Sequence, residues 1–155
     1  MREASDTYMI TGVIVRPFND LSEGKEWFIS WLKKHNFTDI VDTDTISIYY
    51  HWDLEATLCG QRYAFELKNR TFPSYHFGDA AVNYDKYEYL LNCPYKAVFV
   101  TFWTDCFIMI DVKNCPPDED IVRCCQHQTR FPDHQIIRKK MVRWKIKDMK
   151  LLNYE

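Results

Sequence analysis

Apolar residues recur at helical spacing between Asp20 and Asn36, where Trp27, Phe28, Trp31 and Leu32 gather on one side. The segment opens with the capping pattern Asp20-x-x-Glu23 and closes with Lys33-Lys34-His35-Asn36, basic residues followed by one that tolerates a left-handed cap. A helix with so apolar a face needs a sheet to cover it. Met9 to Val15, ahead of it, reads as a short strand or an ordered arm, Phe37 to Val41 as a brief strand, and Asp42-Thr43-Asp44-Thr45 as a turn. From Tyr49 to Leu58 aromatic, β-branched and apolar residues dominate, Cys59-Gly60-Gln61 supplies a turn signal, and Arg62 to Lys68 resumes the pattern, which predicts a β-hairpin.

After a polar loop from Asn69 to Ser74, ended by Gly78-Asp79, the segment Ala80 to Leu91 predicts a second helix. Tyr84, Tyr87, Leu90 and Leu91 would face inward, with Lys86 near the boundary. Ala97 to Phe102 is a continuous apolar run, the pattern of a central strand covered on both faces, and Cys106 to Val112 would pair with it through a Thr104-Asp105 turn. Pro116-Pro117 breaks the chain, and Asp118-Glu119-Asp120 would cap a short helix near Ile121 to Gln126. Val142, Trp144 and Ile146 alternate with Arg143, Lys145 and Lys147, giving a strand with one buried and one basic face. The predicted order is α-β-β-β-α-β-β, an α/β fold in which helices flank a mixed sheet.

Composition narrows this picture only in places. The 155 residues, 46% hydrophobic and 16% aromatic, suffice for one domain with a sizeable core, and no repeat, low-complexity stretch or linker divides residues 1 to 155. A net charge of −2 gives no whole-protein argument for nucleic acid, so such binding must come from a local patch. Seven basic residues between Arg138 and Lys150, against the single acid Asp148, offer one; a solvated edge strand guarded by lysines explains them equally well.

Six cysteines without a signal-peptide pattern at the N-terminus are expected to be reduced thiols in a cytoplasm. Zinc is not expected of Cys115, Cys124, Cys125 and His127, which contain no C-x-x-C pair. The apolar stretch Ala97 to Val112 is interrupted and too short to span a bilayer, so no membrane association is expected.

The hairpin carries the candidate chemistry. With Cys59-Gly60 as a two-residue turn, Asp53 lies opposite Glu66 and His51 opposite Lys68, with opposed Cβ atoms roughly 5 Å apart. His51, Asp53, Glu55, Ala64, Glu66 and Lys68 then share one face, and Trp52, Leu54, Ala56, Tyr63, Phe65 and Leu67 the other. Opposed carboxylates repel unless something compensates, and Mg²⁺ or Mn²⁺ would. A Gly60-Gln61 turn would instead set Asp53 opposite Lys68 and Glu55 opposite Glu66, an ordinary solvated face with a cross-strand ion pair.

An Asp on the second strand and Glu66-Leu67-Lys68 on the third, in that order of elements, resemble the PD-(D/E)xK nuclease superfamily with its restriction-endonuclease-like fold, over roughly Asp20 to Val112. Trp52 stands where the motif has proline. The resemblance is to small members of bacteriophage or mobile-element origin, Holliday-junction resolvases among them, and implies a DNA endonuclease in a bacterial or phage-infected cell. It implies catalytic roles for Asp53, Glu66 and Lys68, and a Mg²⁺ or Mn²⁺ ion held by Asp53, Glu66 and the Leu67 carbonyl. Glu23 or Glu26 matches the further helical acid of such members, and Lys86 the basic residue on their next helix.

In that chemistry the metal would lower the pKa of a bound water and polarise the scissile phosphate, while Lys68 oriented the water or balanced phosphoryl charge. Arg70, Lys86, Arg143, Lys145 and Lys147 are the candidate phosphate contacts, and Tyr75 and His76 would either stack on a base or pack. Symmetric cutting of two strands would call for a homodimer. The competing expectation from the same fold is an inactive module that binds DNA, or a protein partner such as a host defence factor.

Overall fold

The computed structural model describes residues 9–13, 21–47, 50–126 and 136–146. The described elements are β1 (Met9–Val13), α1 (Leu21–Lys34), β2 (Thr38–Asp42), β3 (Leu54–Leu58), β4 (Gln61–Asn69), β5 (Asp79–Asn83), α2 (Tyr84–Asn92), β6 (Lys96–Phe102), β7 (Cys106–Asp111), β8 (Glu119–Gln126) and β9 (Ile136–Lys145). A mixed six-stranded sheet runs β1-β7-β6-β4-β3-β2, and a three-stranded sheet runs β5-β9-β8. The fold is mixed α/β. Among the described residues no helix is long and apolar enough to cross a membrane.

α1 ends as its sequence predicts. Asn36 takes the left-handed conformation (φ 68°), and the Phe37 N–H returns to the Leu32 carbonyl at 3.0 Å, closing the last turn. The Asp20 cap lies outside the described residues. Phe28 and Leu32 are fully buried, and the Phe28 ring meets Phe65 edge-on at 5.3 Å. With Leu54, Ala56, Leu67, Val98, Val100 and Phe102 they form the core on one face of the six-stranded sheet. Truncating Phe28 to alanine would cost about 3–5 kcal/mol at such a site.

The other face is covered by α2 and the three-stranded sheet. Ala64, Phe99, Ile108 and Ile110 meet Leu90 of α2 and Val142 and Trp144 of β9, the Trp144 ring lying 5.9 Å from Phe99. β6 is thus covered on both faces, as its unbroken apolar run predicts, and it pairs antiparallel with β7. It is parallel to β4, with Glu66 beside Phe99 and Lys68 beside Thr101, and β5 and α2 make the crossover.

Four expectations are corrected. The second helix begins at Tyr84, because Asp79–Asn83 pairs with β9 and buries Ala80, Ala81 and Val82. Leu91, expected inward, is 40% exposed. The segment expected as a helix near Ile121 to Gln126 is strand β8, in register with β9 from Glu119 to Gln126. Local capping signals lose there to a long partner strand. β9 in turn is the middle strand of its sheet, so a guarded edge strand does not describe it.

Candidate active site and basic cleft

The hairpin turn decides the site. Cys59 and Gly60 both have positive φ, 49° and 76°, the conformation of a two-residue type I′ turn, and Leu58 pairs with Gln61. Leu54 pairs with Phe65, and just beyond that last pair Asp53 bonds to the backbone of Phe65 and of Leu67, on either side of Glu66. The alternative register is excluded.

The strand pattern stops at Leu54, because His51 to Asp53 form a bend. Trp52 therefore joins the core on the α2 side instead of sharing a face with Leu54, and His51 stacks on Tyr89 at 3.7 Å instead of facing Lys68. The bend is tied from several directions. The Thr43 hydroxyl donates to the Trp52 carbonyl, and the Thr43 N–H to the Asp53 carbonyl at 3.0 Å. Buried Glu55 accepts from the Trp52 indole at 2.7 Å, from the Tyr50 hydroxyl at 3.1 Å and from the Arg62 guanidinium at 3.2 Å. Glu55 is thereby committed to holding the bend.

Asp53 is aimed by the backbone of β4. Its N–H donates to the Phe65 carbonyl at 2.9 Å, and its carboxylate accepts the Leu67 N–H at 2.7 Å. Within a strand the N–H and C=O of one residue point to the same edge, so the Leu67 carbonyl faces the Asp53 side too. Glu66 is buried, and Lys86 reaches from α2 to its Oε1 at 3.0 Å. Oε2 of Glu66 is buried with no hydrogen-bond partner among the described residues.

Burial, and after it the charge of Asp53, pushes the Glu66 carboxyl up to about 7 despite Lys86. Burial also raises Asp53, against the Leu67 hydrogen bond and Lys86. Burial would lower Lys86, but the charge and hydrogen bond of Glu66 outweigh it and its pKa is raised. Lys68 is lowered, first by desolvation and next by Arg70. Two carboxyls that burial destabilises as anions thus lie with lysines beside the start of β3.

Glu66 and Lys68 open into a cleft of about 640 Å³ between β4, α2 and the three-stranded sheet. Of the described charged residues lining it, Lys68, Arg70, Lys86, Arg123 and Lys139 are basic and only Glu66 is acidic. Arg70 is braced by the Ala81 carbonyl at 2.8 Å, and Arg123 is paired with Asp79 at 2.6 Å. Arg143 also pairs with Asp79, and with Glu119, so it braces this sheet instead of standing ready for a phosphate. Lys145 is half-buried on β9, its N–H donating to Asp118 at 2.6 Å, and it does not line the cleft; Lys147 lies outside the described residues. Arg123 was hidden from sequence reading by the helix expected at its position. Lys139 carried a signal, since it belongs to the basic run.

Glu26 is exposed on α1, and the side chain of Glu23 lies outside the described part. Among the described residues no three His, Cys, Asp or Glu side chains converge in a metal-ligating group. The fit for a cation rests on fewer protein ligands. Two carboxylates, one with a buried unpartnered oxygen, and a backbone carbonyl on the same edge form the all-oxygen set that a hard divalent ion takes alongside waters. Comparison with family models, curated proteins and solved structures finds no match for this chain.

Proposed function

We propose that the protein is a Mg²⁺- or Mn²⁺-dependent nuclease of the PD-(D/E)xK type that hydrolyses DNA phosphodiester bonds. The observation that carries this reading is the buried, unpartnered Oε2 of Glu66, beside Asp53 and two residues before Lys68, at the edge of a basic cleft. A restriction-endonuclease-like fold is supported by the succession α1, β2, β3, β4, α2, β6, with β6 parallel to β4.

Asp53, Glu66 and the Leu67 carbonyl would hold the ion. Bound there, it supplies Lewis acidity toward the scissile phosphate and the attacking water. Lys68 sets a positive charge against the phosphoryl oxygens in a partly desolvated cleft, where it is worth more than in water. Arg70 and Lys139 grip neighbouring phosphates, the sequence-independent part of affinity.

Incubation with linear and branched DNA plus Mg²⁺ or Mn²⁺ tests this. Cleavage that needs the metal and is lost in Lys68→Ala is the expected result. No cleavage by the wild type, or equal cleavage by Lys68→Ala, removes the proposal.

The Lys86–Glu66 ion pair favours a second reading, a DNA-binding or protein-binding module on the same scaffold in which Lys86 is the compensating cation. Titration calorimetry separates the two. Mn²⁺ binding that Asp53→Ala abolishes excludes the module without a metal.

A further inference from the structure

Resting on the nucleic-acid reading of the cleft, we infer that its ligand carries unpaired nucleotides, whose bases stack on the aromatic loop of residues 70–78. Tyr75 is 80% and Phe77 54% exposed, which is unusual for large rings. Of the two readings open for Tyr75, packing is therefore not met; His76 is exposed too, but its ring lies against Phe72 and Phe77.

The loop is braced. The carboxylate of Asp105 accepts the N–H of Ser74 at 2.8 Å and its hydroxyl at 2.6 Å, the Arg70 N–H donates to the Phe102 carbonyl at 2.7 Å, and the Ile146 N–H to the Gly78 carbonyl at 2.9 Å. Held this way the rings are presented with little entropy left to lose on binding.

Charge selects the occupant. Phe72 and Phe77 line the cleft together with Lys68, Arg70, Arg123 and Lys139, and the Arg123 guanidinium lies 5.0 Å from the centre of the Phe77 ring. A basic groove walled by aromatics suits a polyanion with accessible π faces. A duplex offers the groove only phosphates, because its bases are stacked on each other; an unpaired strand offers both.

The basic surface also continues beyond the acids. Lys86, Lys139 and Asn83 are shared with a second depression of about 450 Å³, lined further by Arg138, Lys140, Tyr84, Tyr89 and the single acid Asp85. Lys86, the partner of Glu66, thus lies where the two depressions meet, and the aromatic loop flanks the first of them. A strand following this path would have its unpaired bases on the loop and a phosphate beside Glu66.

Fluorescence anisotropy in EDTA tests binding separately from cleavage, using a short DNA single strand, a blunt duplex of the same sequence, and that duplex with an unpaired tail. The wild type is expected to bind the single strand and the tailed duplex about tenfold more tightly than the blunt one, and to quench 2-aminopurine placed in the tail. Tyr75→Ala with Phe77→Ala should remove the quenching and bring the affinities for the single strand and the tailed duplex down to that for the blunt one, and Tyr75→Phe should keep both the preference and the quenching.

Equal binding of tailed and blunt duplexes overturns the inference, as does a double variant that weakens all three ligands alike. A wild type that prefers the tail yet never cuts with metal sinks the nuclease proposal and leaves this one standing. One that cuts with metal but shows no preference for the tail does the reverse.

Discussion

Lys86 holds one oxygen of Glu66 at 3.0 Å, while the other oxygen of the same carboxylate is buried with no partner among the described residues. Half of a buried charge is thus compensated from α2 and half is left for something else. The Glu66 carboxyl rises from its ordinary 4.5 to about 7 as a result of burial and of Asp53. The folded state keeps a proton that the unfolded chain releases between those values, so this contribution to stability is complete below pH ~4.5 and is lost as pH rises through about 7. Glu66→Gln, neutral throughout, should therefore match the wild type at pH 5 and exceed it at pH 8 by on the order of 3 kcal/mol in chemical denaturation. Mn²⁺ should raise the wild-type melting temperature at pH 8, less so below pH 7 where a proton competes, and not at all in Glu66→Gln. A metal shift that survives the substitution would place the ion elsewhere.

Lys86→Ala removes the cation that is paired with the same carboxylate. The buried partner makes this costly and the half-exposed lysine moderates it, so about 1–3 kcal/mol should be lost at pH 8. At pH 5, where Glu66 is protonated, the loss should be small. Saturating Mn²⁺ should restore most of the pH 8 loss. An equal loss at both pH values would mean that Lys86 acts by packing alone.

The turn that sets the register is open to direct adjustment. Cys59 holds φ 49°, a conformation asparagine adopts more readily, and Asn-Gly is the favoured type I′ pair. Cys59→Asn should stabilise by about 0.5–1 kcal/mol, and Gly60→Ala, with φ 76° and open space around it, should destabilise by about 1 kcal/mol through backbone strain alone. The denaturant midpoints of the two variants should move in opposite directions.

What the sequence made legible is what local pattern decides. The Cys59-Gly60-Gln61 signal left two hairpin registers open, of which the structure takes the first, but the hairpin itself, the α1 stripe and the unbroken run of β6 each carry their own instruction and were readable. The three-stranded sheet was not. Asp79–Asn83 and Glu119–Gln126 become strands because β9 lies between them, pairings across 58–66 residues for β5 and 10–24 for β8 that no local window reports. Arg123 enters the cleft only through that sheet. The bend at His51 to Asp53 was equally hidden, since the alternation continues through it and Thr43 and Glu55 impose it from outside.

Glu55 should behave as a positioning residue. Glu55→Ala leaves the Trp52 indole and the Arg62 guanidinium without their shared acceptor, a loss of about 2–4 kcal/mol. Because the bend carries Asp53, calorimetry on the folded variant should show weakened Mn²⁺ affinity as well. Glu55→Gln keeps an acceptor oxygen for the indole and should recover most of that affinity. Loss of stability with unchanged Mn²⁺ affinity would mean that Glu55 supports the fold but does not aim Asp53.

Lys68 separates chemistry from metal binding. It lines the cleft beside Glu66, but its ammonium cannot ligate a cation, so Lys68→Ala should leave Mn²⁺ affinity within about twofold. Its role against developing phosphoryl charge should instead appear in kcat, as a fall of about 100- to 1000-fold. The pH profile supplies an independent check. Desolvation, and next the charge of Arg70, hold the Lys68 pKa below its ordinary 10.5, so its proton is lost earlier as pH rises and activity should decline on the alkaline side below that value. Replacing Arg70 by glutamine removes the largest of the neighbouring charges that lower it and should move the alkaline limb upward, at the expense of weaker DNA binding. An alkaline limb unmoved by that substitution would mean that a group other than Lys68 sets it.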